Sequence, residues 1–444
     1  MKKTNIDMPL GIRYMSQVSQ FLQNMIPWEG KKILDKTLTG CGGTEFFGNS
    51  GRPLVLVSPR TGVLYSKAKQ HPDWHLFLEP GEKYSNGVMD RLRFYLNTHY
   101  NFGSMSAPVI LVTFDSAHHV IDELKFREIT DQFLFLVDEF QCLMCDAAFK
   151  GKTELNFLRM IDAAAKNICY MSATPLQELY LDLMPEFQGV DYYKLVWDPA
   201  VVVEPTVKKI MMPKGQGVAS IMKGVIADYN RDGYFAKKID PMLGVVKATE
   251  LVVFVNEVKT IWNIIHGNNL KPDEVTILIS SSSEYVDKFK KSGYTIENQI
   301  PDKNNPRNTT YTFCSKASFE GRDFYSNCAF TIIFLDGTKE WQTHDISIEI
   351  PQMLGRQRLD KNPFKYNAVI YYKTKPSKVS KFEYTKTLEK KMQTAETYIK
   401  LYQNGDDVTK ATLMDVAKGL MKTIRTRPPT LMSWIILTVP IPCR

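Results

Sequence analysis

Residues 39–44, TGCGGT, have the composition of a phosphate-binding loop. They follow the apolar run KKILDKTL and precede a segment typical of a helix. Glycines let backbone N–H groups point at phosphate oxygens, and the N-terminus of a helix adds a favourable dipole. Taken alone, the segment is compatible with a nucleotide site or with a simple turn. The candidate nucleotide-binding residues are Thr39, Gly40, Cys41, Gly42, Gly43 and Thr44, and the Thr44 hydroxyl stands where it would bind Mg²⁺.

Gly43 stands where such a loop normally carries the lysine that reaches the β- and γ-phosphates. Contacts between a lysine and a phosphate are charge-assisted and strong, so the loss of this lysine should affect hydrolysis more than folding. Glu45 adds a negative charge nearby. Lys36 begins the stretch KTLTGCGGTEFF, residues 36–47, which contains the loop. It is a candidate substitute for the missing lysine, a hypothesis that depends only on its closeness in the sequence.

Two adjacent carboxylates, Asp138 and Glu139, end the apolar run FLFLVDEF. Acids at the end of a buried strand are costly to desolvate unless a cation neutralises them, and a metal ion is a common solution. Asp138 would then hold Mg²⁺ through water, while Glu139 would orient and deprotonate an attacking water molecule. The alternative is a strand that ends at solvent with exposed acids.

Short apolar runs that could position these groups recur along the chain, separated by helical patterns. The first series is KKILDKTL, RPLVLVSP, PVILVTF, FLFLVDEF and NICYMSAT, and the second is ELVVFVN, EVTILIS, TTYTFCS, FTIIFLD and YNAVIYY. Near-continuous apolar strands are typical of parallel sheets that are covered on both faces. Ligands bind at the carboxyl ends of such strands, where the glycine-rich loop and the two acids fall. We therefore predict two successive α/β units.

The composition is that of a globular protein. Apolar residues make up 44% and charged residues 23% of the 444 residues, which argues against long disorder. The net charge of +8 permits a polyanionic partner. Seven cysteines, an odd number with several inside apolar runs, argue against a disulfide framework. The N-terminus has no apolar segment typical of a secretory signal. We expect a cytoplasmic protein of a bacterium or a phage-infected cell, without a membrane partner.

Six segments follow one another in an order that resembles the superfamily 2 helicases and translocases. TGCGGT is similar to motif I, DEFQ to motif II, SAT to motif III, VVFVNEV to motif IV, SKASFEGRDF to motif V and QMLGRQR to motif VI. The last pattern is also similar to that of some viral replication helicases, which suggests a phage origin. Together the six segments span about residues 30–370 and are far more specific than any one of them.

This resemblance implies an α/β fold with two tandem RecA-like domains, each with a parallel sheet, and a short C-terminal helical appendage. We expect the first domain over residues 1–195, an inter-domain connection over 196–245 and the second domain over 246–376. Residues 377–444 would form the helical segment, because apolar residues recur there at helical spacing. These apolar residues are Leu388, Met392, Ala395, Ile399 and Tyr402.

The resemblance further implies ATP and Mg²⁺ in a cleft between the two domains. Arg356 and Arg358 of motif VI would reach the γ-phosphate only when the domains close, as an arginine finger does. Gln352 would contact the same phosphate, and Gly321 and Asp323 of motif V would contact the nucleotide, with Asp323 on the ribose. The implied catalytic residues are Asp138, Glu139, Gln352, Arg356 and Arg358, and the implied metal ligands are Thr44 and Asp138.

A nucleic acid is the implied partner, with DNA favoured over RNA and with a replication or repair protein as a further partner. VSPRTG and VTFDSAHH resemble motifs Ia and Ib, whose hydroxyls, amides and cations hold a phosphate backbone. Motif III would couple the nucleotide site to the nucleic-acid groove. The implied contact or coupling residues are Arg60, Thr61, Thr113, Ser172, Thr174 and Ser315.

The sequence thus predicts a nucleic-acid-dependent ATPase, specifically a DNA helicase or translocase of replication or repair. Gly43 motivates an alternative: a degenerate helicase that binds nucleic acid in a structural or regulatory role without efficient hydrolysis. A third interpretation is a nuclease-associated or packaging motor with the same two domains, although the C-terminal segment contains no separate nuclease constellation.

Overall fold

The structure is a computed structural model. It describes residues 2–100, 106–145, 147–175, 181, 184–240, 244–280, 283–296, 309–316, 323–339 and 348–374, and scattered positions from 380 to 413. Gly321 and all five apolar residues of the predicted C-terminal helix lie outside the described residues. Among the residues that the structure describes, no helix combines the length and apolar composition required to cross a lipid bilayer.

The first unit is built on a sheet of eight strands, all paired in parallel. The strands are β1 (Lys3–Asp7), β2 (Lys31–Asp35), β3 (Leu54–Ser58), β4 (His75–Leu76), β5 (Val109–Thr113), β6 (Leu134–Asp138), β7 (Ile168–Ser172) and β8 (Asp191–Val196). Their order across the sheet is β1-β8-β2-β7-β6-β3-β5-β4. The central strands β2, β7 and β6 are therefore neighbours, and their carboxyl ends meet at one edge.

Helices cover both faces of this sheet. They are α1 (Ser19–Met25), α2 (Gly43–Gly48), α3 (Thr61–Gln70), α4 (Asn86–Tyr100), α5 (Ala117–Phe126), α6 (Cys142–Cys145) and α7 (Ala147–Ala164), with 3-10 turns at Met15–Val18, Thr130–Gln132 and Pro185–Phe187. Successive side chains of a strand point to opposite faces. In β3, Val55 and Val57 accordingly join one apolar core, and Leu54 and Leu56 join the other. This two-sided burial explains why the strands are apolar without alternation.

The second unit has a parallel sheet of six strands and a separate antiparallel hairpin. The strands are β9 (Thr206–Met211), β10 (Ala236–Asp240), β11 (Gly244–Ala248), β12 (Glu250–Phe254), β13 (Val275–Leu278), β14 (Tyr311–Cys314), β15 (Ala329–Asp336) and β16 (Asn367–Lys373). The six-stranded order is β13-β14-β12-β15-β16-β9, and β10 pairs with β11. The helices are α8 (Val218–Asp232), α9 (Val258–Gly267), α10 (Tyr285–Lys291) and α11 (Glu349–Leu354), with a 3-10 turn at Pro272–Glu274. The tandem α/β architecture confirms the predicted fold class.

Residues 196–245, predicted as an inter-domain connection, contribute structure to the second unit. Strand β9 adds to the edge of the second sheet beside β16, and α8 buries Val218, Met222 and Ile226 in the second core. The sequence pattern concealed β9, because an edge strand exposes much of its length and its TVKKIM sequence carries two lysines.

Candidate nucleotide-binding site

The glycine-rich loop connects β2 to α2 at the carboxyl edge of the first sheet. Gly40 and Gly42 have backbone φ angles of 69° and 79°, values that glycine adopts without steric cost. Helix α2 begins at Gly43 and buries Phe46 and Phe47, which anchors the end of the loop in the core. Burial raises the pKa of the Cys41 thiol to about 11, so this loop residue stays a protonated, inert thiol.

Asp138 is the last residue of β6 and faces the loop. Its Oδ2 accepts a hydrogen bond from the Thr44 hydroxyl at 3.4 Å, and its Oδ1 accepts one from Lys36 Nζ at 3.3 Å. The structure thus brings together both residues of the predicted metal site. A hydroxyl and a carboxylate are hard oxygen donors that suit Mg²⁺, which usually takes one or two protein ligands together with phosphates and water.

Glu139 lies beside Asp138 in a strained backbone conformation, with a φ angle of 52°. Its Oε2 accepts hydrogen bonds from Gln141 Nε2 at 2.6 Å and from Gln352 Nε2 at 3.1 Å. Burial raises the pKa of the Glu139 carboxyl, and the Lys36 ammonium only partly offsets this increase. A carboxylate with a raised pKa that is held in place by two amides suits a general base.

Lys36 follows the last residue of β2 and runs beneath the loop. An added Cβ atom at Gly43 would lie 2.9 Å from Cδ of Lys36 and 2.7 Å from Sδ of Met171. Burial by itself would lower the pKa of the Lys36 ammonium, but the Asp138 and Glu139 carboxylates raise it above its ordinary value. A buried, charged amine therefore occupies the space next to the position that lacks its lysine.

The second unit contributes Gln352 from α11 and Arg356 from the turn that follows. Gln352 Nε2 also donates to Thr174 Oγ1 at 3.2 Å, and Arg356 Nη2 donates to Gln352 Oε1 in a short hydrogen bond. These contacts connect predicted motif VI to predicted motifs II and III. The two units therefore meet at the acids, where Gln352 contacts both Glu139 and Thr174.

Arg358 lies against the glycine-rich loop itself. An added Cβ atom at Gly40 would be only 2.1 Å from Arg358 Nη1, so glycine permits this close approach. Asp323, implied to contact the ribose, pairs in this structure with Arg358 Nη2 at 2.8 Å and with Arg356 Nη1 at 3.4 Å. Burial would raise the pKa of Asp323, but the two guanidinium groups lower it below its ordinary value.

A cavity of about 410 Å³ opens between these groups. It is lined by residues 40–44 of the loop, but not by Thr39, and by Lys36, Asp138, Glu139, Asp323, Arg356 and Arg358. The sequence patterns did not single out four further lining residues, Tyr14, Lys67, Gln70 and Tyr325. Lys67 and Gln70 lie four and seven residues after Val63 on helix α3, which also lines the cavity, so this helical spacing was the available signal.

The predicted nucleic-acid and coupling residues lie at or just after the carboxyl ends of strands. Thr113 ends β5, Ser172 ends β7 and Ser315 directly follows β14. The Ser172 hydroxyl accepts a hydrogen bond from the Thr174 N–H at 2.9 Å, and this bond holds the start of predicted motif III. Arg60 precedes α3, which begins at Thr61, and lines the nucleotide cavity in this arrangement.

No protein-family model and no curated protein sequence matches this chain. Among solved structures, the DEAD-box helicase Mss116, bound to single-stranded RNA and UDP-BeF, is similar to it at a TM-score of 0.52 and 9% identity. That match covers 96% of this chain and 94% of Mss116. The ATP-dependent Type ISP restriction-modification enzyme LlaBIII, bound to DNA, is similar at a TM-score of 0.51 and 11% identity over 83% of this chain and 28% of the enzyme.

The Mycobacterium smegmatis helicase Lhr, bound to single-stranded DNA and AMP-PNP, matches at a TM-score of 0.46 and 12% identity. That match covers 78% of this chain and 44% of Lhr, so the chain spans less than half the length of that helicase. At these identities the likeness concerns the fold. The two parallel sheets and their order along the chain match the tandem RecA-like arrangement of Mss116, and this chain has that α/β fold.

Proposed function

We propose that this protein is a nucleic-acid-dependent ATPase that works as a helicase or translocase. The observation that carries this proposal is the meeting of Gln352, Arg356 and Arg358 of the second unit with Glu139 and the loop of the first. A turn without a nucleotide would not require two arginines and two acids around one cavity.

Each group has a chemical task in this proposal. Thr44 and Asp138 would hold Mg²⁺, which neutralises phosphate charge when it is bound. Glu139 orients a water molecule and takes its proton, helped by its raised pKa. Gln352 positions the Glu139 carboxylate through their hydrogen bond. Arg356 and Arg358 stabilise the charge that develops on the transferred phosphoryl group.

The same contacts would connect hydrolysis to movement. Gln352 links the two units through Glu139 and Thr174, and Arg358 approaches the loop at Gly40. Loss of the γ-phosphate would weaken the arginine contacts and let the units separate. Thr174 bonds to Gln352 directly after the end of β7, so closure of the cleft would reach the strand edge where Thr113 and Ser172 lie.

We further propose that the nucleic acid is DNA and that the process is replication or repair. The similarity of QMLGRQR to viral replication helicases supports this choice, and the net charge of +8 suits either polyanion. Mss116 is bound to single-stranded RNA and LlaBIII to DNA, so the structural neighbours are compatible with either polymer. Hydrolysis assays with matched DNA and RNA strands would separate the two.

Replacement of the base tests the proposed chemistry. We expect Glu139→Gln to reduce nucleic-acid-stimulated phosphate release by about a hundredfold or more, because the water loses its general base. ATP binding, measured by titration calorimetry, should persist. Glu29→Gln, at an exposed position of the same unit, should keep the wild-type rate. Unchanged hydrolysis in Glu139→Gln would contradict the proposal.

A degenerate, non-hydrolysing helicase is the second candidate, and Gly43 is the observation that favours it. In that case the wild-type protein would bind ATP and nucleic acid, but no DNA or RNA would stimulate phosphate release. The retained Asp138, Glu139 and Arg356 argue against this function, because a site released from catalysis has little reason to keep them together.

A further inference from the structure

The loop of the first unit has a cation beside it, although its usual lysine is replaced by Gly43. We propose that Lys36 supplies the phosphate-binding amine of this site from a position upstream of the loop, and that Gly43 is small because the Lys36 side chain crosses it. This inference rests on the proposed function, since it assigns one contact of the ATP that we place in the cleft.

The backbone of Lys36 is held firmly on both sides. Its N–H donates to Ser172 O at 2.7 Å, which extends the pairing of β2 with β7 by one residue. Its carbonyl oxygen accepts a hydrogen bond from Trp197 Nε1 at 2.7 Å. The next residue, Thr37, has a φ angle of 53°, and its hydroxyl donates to Leu195 O at 2.8 Å. The side chain therefore has a defined starting point beneath the loop.

Lys36 and position 43 share one space. An added Cβ atom at Gly43 would approach Cδ of Lys36 to 2.9 Å and Sδ of Met171 to 2.7 Å. Contacts this short would force one of these two side chains to move. A long side chain at position 43 and the observed Lys36 arrangement therefore exclude each other. We infer that a lysine at position 36 or at position 43 could place its amine in this space, but not both at once.

The end of the Lys36 side chain lies at the metal-binding carboxylate. Its Nζ is 3.3 Å from Asp138 Oδ1, and Thr44 Oγ1 is 3.4 Å from Asp138 Oδ2. If Asp138 held Mg²⁺, it would share its carboxylate with the metal, and the Lys36 amine would then be available to phosphate oxygens. A buried amine is compact and can form several hydrogen bonds, which suits a phosphate group.

Of the four other cations that line the cavity, Lys67 and the two arginines of the second unit pair with carboxylates other than Asp138. Lys67 Nζ is 2.5 Å from Glu45 Oε1, and Arg358 pairs with Asp323. Arg358 also belongs to the second unit, so its distance from the loop depends on closure. Within the part of the chain that the structure describes, Lys36 is the lysine of the first unit that contacts Asp138.

A set of exchanges between positions 36 and 43 tests this assignment. We expect Lys36→Met to lower kcat/KM for nucleic-acid-stimulated ATP hydrolysis by about a hundredfold, the usual effect of removing one preorganised donor. Gly43→Lys should also lower it, because the new side chain displaces Lys36. The double variant Lys36→Met/Gly43→Lys should recover about tenfold over Lys36→Met. Lys31→Met removes a lysine from the other end of β2 and should behave as wild type.

Binding measurements distinguish a failure of this inference from a failure of the proposed function. By calorimetry, Lys36→Met should lose more affinity for ATP than for AMP, since the amine contacts the terminal phosphates. Wild-type binding and hydrolysis in Lys36→Met, together with an inactive Glu139→Gln, would overturn the inference and leave the proposed function standing. Failure of the wild-type protein to bind ATP would overturn both.

Labelling of the unmodified protein avoids any effect of the substitutions on folding. In an ATP derivative with an acyl group on its γ-phosphate, a nearby amine that has lost a proton attacks the acyl carbonyl carbon. The bond from this carbon to the γ-phosphate oxygen breaks, ATP leaves, and the new amide gives its remaining extra proton to solvent. Mass spectrometry should find the acyl amide on Lys36, and excess ATP should suppress it. The inference would be overturned if the acyl amide were found only on Lys67. It would also be overturned if the labelling that excess ATP suppresses lay on residues other than Lys36.

Discussion

Among the single residues of the site, Glu139 shows most directly how burial shifts the pKa of the group that we propose as the general base. Its backbone φ angle of 52° is uncommon for a residue other than glycine, and the residue directly follows the buried strand β6. Burial raises the pKa of its carboxyl, whereas the Lys36 ammonium and the Gln141 hydrogen bond lower it. The balance of these effects decides the pH at which the base becomes protonated.

Rate profiles against pH report this balance. The base must be ionised to act, so kcat/KM should fall as the pH decreases through the raised pKa of Glu139, at a higher pH than the value of about 4.3 for an ordinary glutamate. Gln141→Met removes a hydrogen bond that favours the ionised form and should move this acid limb to still higher pH. A profile unchanged by Gln141→Met would contradict the role given to this amide. Circular dichroism at each pH separates unfolding from titration.

Among the structural elements, the short helix α2 directly continues the loop. The indole ring of Trp74 packs against this helix at Gly48. An added Cβ atom at Gly48 would lie 2.2 Å from Trp74, a rigid indole that stacks on His71 at 3.9 Å between ring centroids. His71 Nε2 in turn lies 2.8 Å from Glu45 Oε2, so α2 is held by a ring and by a contact between an imidazole and a carboxylate. The packing of this helix therefore sets where the loop ends.

Substitution at Gly48 tests this packing. Gly48→Ala should lower the free energy of unfolding by about 1–3 kcal/mol, because the methyl group collides with the indole. It should also weaken ATP binding. Gly224→Ala places a methyl group in the interior of α8, where nothing lies within 4 Å, and should stabilise the protein by about 0.5–1 kcal/mol. Equal effects of the two substitutions in denaturant titrations would show that Trp74 does not constrain α2.

In the whole molecule, the two units touch at the catalytic groups and also at a second place. Arg13, on the segment between β1 and α1, donates a short hydrogen bond to the Tyr366 hydroxyl just before β16. The same guanidinium lies 4.0 Å from Asp360. The chain segment that follows β1 thus reaches the second unit outside the nucleotide cavity and favours the closed arrangement.

Removal of this contact should shift the balance between open and closed units. One hydrogen bond contributes about 1 kcal/mol, so Arg13→Ala should reduce the ratio of closed to open molecules by up to about fivefold. Energy transfer between dyes on the two units measures this ratio. Arg52→Ala, which removes a guanidinium that stacks on Trp28 within the first unit, should leave it unchanged. A closed fraction that Arg13→Ala does not alter would argue against a role for this contact.

Local patterns of apolar residues in the sequence predicted much of this architecture. The apolar runs that end in Asp138, Ser172 and Cys314 form strands β6, β7 and β14 as predicted, and the tandem α/β fold class is confirmed. Local patterns suffice for these features because a strand that is buried on both faces must be apolar along its whole length. The strand and the helix within residues 196–245 were not predicted, since an edge strand and an amphipathic helix both mix apolar with polar residues.

Spacing along the chain could not establish which distant groups meet. The glycines, acids and arginines were recognisable by type, but the pairing of Asp323 with Arg356 and Arg358 follows from the packing of the second unit. The position of Lys36 beneath Gly43 likewise depends on the register of β2 against β7 and on the Trp197 hydrogen bond. A sequence records residue types and local periodicity, whereas the distance between side chains of separate elements results from how the cores pack.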